Sequence, residues 1–289
     1  MTNLGAMIRR DIPPNEVVSH AQLVQEGFDE LWVVEDLPYA GGISQAMAVL
    51  DATDDVVVGH GIAPAPFRNP AALAMEWAAM AEFHPGRVAC GVGHGVQPWM
   101  RQVGEAVDSP LSLLRETVSA VKQLLAGETV DVTGQYVQLQ GVKLQFPPSV
   151  VPLVSAGVLG PKSLELAGAV ADGTVLPEGQ GPDQIEAALE SINAGRSVSD
   201  GGQSHRLTVF VGYYCGDPSG LGPPPADAPS GWEAIGATPV EVAGQLQQLV
   251  AAGADSLILV PFGTDMVGQL QLAANEIVPL VSRRLGASE

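Results

Sequence analysis

The sequence predicts an α/β fold: a (β/α)8 TIM barrel spanning residues 1–289 as one domain, with an inserted hairpin and a long loop after strand seven. Three observations predict it. Short apolar runs alternate with amphipathic stretches along the whole chain. Eight of these runs read as strands, at residues 4–8, 31–34, 56–62, 87–92, 151–156, 173–177, 206–214 and 256–260. A length of 289 residues, 46% of them hydrophobic, suits one barrel with its ring of helices. A doubly wound sheet is the alternative, but it usually has fewer strands in this length.

The elements follow in order. Val17, Ala21 and Val24 make the first helical stripe, closed by Gly27. Residues 67–104 hold the clearest unit. Asn69 is a good N-cap and Pro70 fits the first helical position. Leu73, Trp77 and Met80 share one face, and Pro85-Gly86 stops the helix. The next strand ends in GVGHG (91–95), a polar loop at a strand's carboxyl end, where α/β barrels keep their chemistry. Ser109-Pro110 opens a stripe of Leu111, Leu114, Val118, Val121 and Leu125. Residues 128–150 alternate polar and apolar with glycines at the turns, a hairpin inserted before strand five. Residues 216–237 are dense in Gly, Pro and Ala. They read as either a lid over the catalytic face or a plain surface loop. Thr238-Pro239 opens a helix with Val242, Leu246 and Leu249 on one face. Glu241 is placed to complete a capping box, and Gly253 ends the helix. There is no internal repeat and no sign of a second domain.

Charge and composition narrow the function classes. The net charge is −19, with 13 Lys plus Arg, so nucleic acid and anionic membrane are not expected partners. No early apolar run resembles a signal peptide, and no stretch approaches the ~20 apolar residues of a spanning helix. Cys90 and Cys215 lie far apart and read as reduced, buried cysteines of a cytoplasmic protein. The 5 histidines are dispersed and no metal-site signature is present, so no catalytic metal is expected.

Four constellations carry candidate chemistry. Glu35-Asp36 ends LWVVEDLPY, where two carboxylates serve as a general base, a cofactor acceptor, or simply a helix cap. His60-Gly61-Ile62 ends strand three; Gly61 lets the backbone approach a flat ligand, and His60 is either a core residue or a catalytic one. Gly93-His94-Gly95, followed by Gln97, Trp99 and Arg101, offers an imidazole that titrates near neutrality. SAGVLGPK (155–162) leads from a strand through glycines into a helix start, whose free amides suit a phosphate.

These residues resemble the bacterial luciferase-like monooxygenases, a family that includes F420-dependent reductases and dehydrogenases. GFDELWVVED (27–36) is similar to its second strand. Residues 59–95 are similar to its third strand, third helix and fourth strand, and VPLVSAGVLGPKSLELAGAVADGTVLPEG (151–179) to its fifth strand, phosphate loop, helix and sixth strand. Nearly the whole chain is covered, with the blocks in order. The resemblance implies a flavin-type ring lying on a bulge in strand three, at a non-prolyl cis peptide, Gly61-Ile62. It sets Asp36 and Glu35 near the ring or substrate and His94 beside the ring; these three are the candidate catalytic residues, with His94 and Asp36 expected to handle the proton. It places Gly61, Ile62, Gly93 and Gly95 beside the ring. Gly157, Val158 and Gly160 receive the cofactor phosphate, and Glu178 and Gly179 border the phosphate tail. A homodimer acting on a small-molecule substrate is implied as well.

The departures are informative. Asp36 stands where many F420-dependent members have histidine, and Val96 where the sugar-phosphate dehydrogenases have glutamate. Sugar-phosphate oxidation is therefore not expected. F420 is preferred over FMN, because the GxGHG and GPK patterns are closer to that branch. F420 implies hydride transfer, whereas FMN would open monooxygenation. The rival reading is a degenerate, cofactor-free barrel acting as a binding or sensory protein.

Overall fold

The computed structural model describes residues 2–198, 204–221 and 231–285. The chain runs β1 (Asn3–Ile8), α1 (Val17–Val24), β2 (Glu30–Val33), α2 (Gly42–Ala52), β3 (Val57–Pro64), α3 (Pro70–Phe83) and β4 (Val88–Gly93). It continues through α4 (Gln97–Gln102), α5 (Pro110–Leu125), β5 (Val130–Thr133), β6 (Gln138–Val142), β7 (Val154–Gly157), α6 (Pro161–Val170), β8 (Gly173–Leu176) and α7 (Pro182–Arg196). It ends with β9 (Arg206–Cys215), β10 (Ala234–Gly236), α8 (Pro239–Ala251), β11 (Ser256–Pro261), α9 (Met266–Leu272) and α10 (Val278–Leu285).

Eight parallel strands close a barrel in the order β1-β2-β3-β4-β7-β8-β9-β11, with β11 returning to β1 and β8 paired to β9. Strand alternation sorts the side chains. On β1, Leu4, Ala6 and Ile8 face the helical ring, while Met7 packs against the barrel interior. That interior is built from Trp32, Val34, Val175, Phe210, Ile258 and Val260. The expected helix starts hold. Asn69 accepts from the Ala71 amide at 2.9 Å, Ser109 accepts from Ser112, and Thr238 and Glu241 form a capping box.

Strand five begins at Val154, not 151, because Val151 and Leu153 are exposed and Pro152 has no amide to give a ladder. Strand three runs on to Pro64 because a bulge between His60 and Ala63 shifts its register against β4. The inserted hairpin is β5–β6. Its turn is held by the Glu116 carboxylate, which accepts from the amides of Gln135, Tyr136 and Val137 at 2.8–2.9 Å. Within 216–237, β10 pairs parallel to the end of β9. The middle of this stretch, residues 222–230, read as either a lid or a plain surface loop, lies outside the described residues. Cys90 and Cys215 are free and buried. Among the described residues no helix is long and apolar enough to cross a membrane.

The amino-terminal end of the barrel is closed by a polar cluster. Glu30, fully buried, accepts from Asn3 Nδ2 at 3.0 Å, Trp32 Nε1 at 2.9 Å and Ser256 Oγ at 2.9 Å, and pairs with Arg206.

Candidate active site

The floor of the carboxyl-end mouth is apolar and shaped by glycines. The Gly61–Ile62 peptide is cis, at the bulge in β3. The Ile62 side chain beds into a recess left by glycines on two neighbouring strands. A methyl group on Gly91, Gly93 or Gly157 would stand 2.5, 2.7 or 2.6 Å from Ile62 carbons. On the other side, a methyl on Gly61 would meet the Trp32 ring at 2.5 Å. Trp32 in turn meets Phe210 edge-on, with centroids 5.6 Å apart, and its indole N–H is held by Glu30. The bulge is therefore supported from the barrel's far end.

Glu35 is buried at the end of β2 and fully engaged. Its carboxylate takes both Arg68 guanidinium nitrogens, each at 2.6 Å, and the Gly42 amide at 3.1 Å. Burial by itself would raise its carboxyl. The facing His60 ring and Arg68 more than reverse this and hold it at about 2. His60, fully buried, accepts from the Trp77 indole N–H at 3.1 Å through Nδ1. Indole only donates, so Nδ1 is bare and Nε2 carries the proton, 3.5 Å from Glu35 Oε2. At 3.5 Å this contact is long, and among the described residues Nε2 has no other partner. His60 thus belongs to the core corner between β3 and α3.

Asp36 pairs with Arg10 at 2.9 Å, and Arg10 also lies 5.2 Å over the Tyr39 ring. Arg9 grips Asp11 with two bonds of 3.0 Å. The Arg9-Arg10 pair at the end of β1 was missed by sequence reasoning. Two adjacent cations in a chain with 13 were a readable signal.

Glu178 follows β8 and is half-buried. Burial raises its carboxyl and Asp36 adds to the rise, while Arg9 and Arg10 partly offset it. Its charged neighbours are thus residues of the mouth, not of the phosphate loop. Gly179 accepts a backbone bond from Trp232 at 3.1 Å, so the returning limb of the long loop docks on the end of β8.

His94 is held on both ring nitrogens. Nδ1 lies 3.2 Å from the Pro110 carbonyl, which only accepts, so Nδ1 donates. Nε2 then accepts from the Ser163 hydroxyl at 3.0 Å. Burial lowers the His94 pKa and the Pro110 bond partly offsets this, which favours the neutral ring. His94 therefore ties β4 and α5 to the first turn of α6. Next to it, Gly95 has φ +71, and a methyl there would strike Met100 Sδ at 2.7 Å.

The loop from β7 to α6 offers fewer amides than the resemblance implies. Val158 donates to the Val175 carbonyl at 3.3 Å. Leu159 and Gly160 lead the exposed approach to α6, and a methyl on Gly160 would meet nothing within 4 Å. An open helix start beside an apolar floor with a glycine-bedded bulge fits a cofactor with a flat ring and a phosphate. The bulge and floor would carry the ring, and the start of α6 the phosphate.

The family model for luciferase-like monooxygenases matches residues 1–219. The chain is 32% identical over 204 residues to the 5,10-methylenetetrahydromethanopterin reductase of Methanolobus tindarius, covering 70% of this chain and 61% of that protein. It is 28% identical over 200 residues to the F420-dependent glucose-6-phosphate dehydrogenase of Microbacterium testaceum, covering 64% and 59%. The alignments thus span about three fifths of the length of these relatives. The fold is that of the coenzyme F420-dependent tetrahydromethanopterin reductase of Methanopyrus kandleri, with TM-score 0.83, 18% identity, and coverage of 96% of this chain and 99% of that one.

Proposed function

The chain belongs to the luciferase-like monooxygenase family, and we propose that it uses F420 to exchange a hydride with a small organic substrate at the barrel mouth. The observation that carries this reading is the cradle: the Gly61–Ile62 bulge bedded on Gly91, Gly93 and Gly157, beside the open start of α6. The F420-dependent activities named for two of the similar proteins support F420 over FMN.

When bound, F420 supplies a carbon that gives or takes a hydride. The residues of this chain do the rest. Trp32, Phe210 and Ile62 form a floor that excludes water from one face of the ring. The Gly160 and Lys162 amides at the start of α6 would receive the phosphate, since Pro161 has none and those of Ser163 and Leu164 bond to the Gly160 carbonyl, and His94 fixes that turn through Ser163. The Glu35–Arg68 pair fixes the wall between β2 and α3. Arg9 and Arg10 are matched by Asp11 and Asp36, so the mouth has no surplus cation for an anionic substrate among these pairs.

The test is a fluorescence titration of the purified apoprotein with F420 and FMN in parallel. Selective F420 binding is expected. Selective FMN binding would turn the reading to flavin monooxygenation, and binding of neither would leave the cofactor-free barrel. Gly160→Asp places a carboxylate at the phosphate end and should weaken F420 at least about tenfold by charge repulsion.

A further inference from the structure

Hydride transfer to or from a neutral organic molecule leaves a proton to be moved. The groups the sequence offered for that task are all spoken for. Glu35 is saturated by Arg68 and Gly42. Asp36 is paired with Arg10. His94 uses Nδ1 on Pro110 and Nε2 on Ser163. The bonds on Glu35 and His94 would have to break before either group could meet a substrate, whereas Asp36 keeps one carboxylate oxygen on Arg10.

Glu178 differs. Among the described residues, no other residue donates a hydrogen bond to its carboxyl; the contact it has is with its own backbone amide. It sits just beyond β8, at the carboxyl end of the barrel. On the closed ring β8 stands four strands from β2 in either direction, directly across the mouth. The carboxyl nevertheless feels the charges of Asp36 at the end of β2 and of Arg9 and Arg10 at the end of β1. Glu178 is half-buried at that rim, across the ring from β2, and its carboxyl lies within Coulomb range of the groups there.

We propose that Glu178 is the acid–base residue of this site, exchanging with the substrate the proton that accompanies the hydride. This rests on the F420 reading above. In the reducing direction, a hydride from the reduced deazaflavin adds to the carbon of a C=O, C=N or activated C=C bond. The π pair moves to the partner atom, which takes the proton of the Glu178 carboxyl and leaves a carboxylate. Oxidation is the reverse: the carboxylate takes a hydroxyl, amine or C–H proton as the hydride leaves. The charged groups facing Glu178 are Asp36, Arg9 and Arg10, and burial together with Asp36 favours its protonated form, the form that donates.

Two readouts test it. The first is a 13C NMR titration of protein labelled at the glutamate carboxyls, wild type against Glu178→Gln. One resonance titrating above the ordinary glutamate range should vanish in the variant and shift when F420 saturates the wild type. A Glu178 resonance that titrates normally, or ignores F420, overturns the proposal. The second is single-turnover oxidation of reduced F420 by whichever of acetone, cyclohexanone and cyclohex-2-enone the wild type reduces. Glu178→Gln should keep its F420 affinity within about threefold, lose the pH dependence assigned to this carboxyl and slow the step roughly 100-fold, the low end of general acid–base effects. Glu178→Asp should restore part of the rate. An unchanged rate in Glu178→Gln overturns this assignment alone, whereas a wild type that does not bind F420 overturns the parent reading and this one with it.

Discussion

Glu30 and Glu178 are carboxylates at opposite ends of one barrel, and they are treated in opposite ways. Glu30, at the amino end, is fully buried and answered by Asn3, Trp32, Ser256 and Arg206. Glu178, at the carboxyl end, is half-buried and takes a hydrogen bond from no other residue among those described. Burial favours the neutral form of a carboxyl that lacks hydrogen-bond donors, so Glu178 is poised to give or take a proton while Glu30 is held as a partner to its donors. The bottom of the barrel is built to hold, and the top is left chemically open. Trp32 joins the two, since its indole is fixed by Glu30 while its ring backs Gly61.

The comparison breaks most visibly at Glu30. Glu30→Ala strands three neutral donors and leaves the partly exposed Arg206 without this partner, and should cost about 2–4 kcal/mol of unfolding free energy. Urea denaturation measures this. A loss under about 1 kcal/mol would mean that the lower cluster is not what holds the barrel shut.

Between the two ends lies Glu35, saturated like Glu30 but placed near the mouth. Arg68→Met removes its ion-pair partner at similar volume. Arg68 is partly exposed, so the loss should be about 1–3 kcal/mol, less than for a fully buried pair. The sign with pH follows from the Glu35 carboxyl, held at about 2 against an ordinary 4.5. The unfolded chain binds the proton more readily, so this contribution is fully present above 4.5 and is lost as pH falls through about 2. The stability difference between wild type and Arg68→Met should shrink over that interval. A difference independent of pH would show that Glu35 does not depend on Arg68.

His94 sharpens the contrast from the cofactor's side. His94→Ala releases Ser163 and the first turn of α6, so F420 affinity should fall about tenfold, near the upper range of one charge-assisted or cap-like interaction. The rate at saturating cofactor should change less than the affinity. Unchanged affinity with a collapsed rate would return His94 to the proton-handling role that the sequence suggested for it.

The fold was legible because its signals are local. Asn69, Ser109 and Thr238 act within three residues of themselves, and alternation along β1 or the stripe on α5 needs no distant partner. The inserted hairpin announced itself by its turns. The site was legible as a set of places but not of roles. GVGHG and the Glu35-Asp36 step do lie at strand ends around one mouth. What each group does is set by partners remote in sequence. Arg68 is 33 residues from Glu35, and Ser163 is 69 from His94. No periodicity encodes such pairings, so engaged groups looked as free as Glu178. Glycines carry a long-range duty of the same kind: Gly93, expected beside the ring, and Gly157, expected at the phosphate, also leave the recess that Ile62 fills.

The smallest expected effect is also the sharpest, because it asks whether the open carboxylate carries any structural load. Glu178→Gln removes a charge that no other described residue binds, so the variant should unfold within about 0.5 kcal/mol of wild type at neutral pH, as substitutions away from paired buried groups do. The direction should be a slight gain. Burial raises the folded carboxyl above its ordinary range, with Asp36 adding to it, so the folded state holds the proton more tightly than the unfolded chain. Wild-type stability then falls slightly as pH rises from the ordinary value through the raised one, and it stays lower above that interval. Glutamine has no such titration, so its curve should be flat there and lie at or above the wild type near pH 7. A clear loss of stability in Glu178→Gln would place Glu178 with Glu30 among the groups that hold the barrel together. A neutral or stabilising change leaves the carboxylate without a structural reason to be charged, and leaves the chemistry of the mouth as its reason.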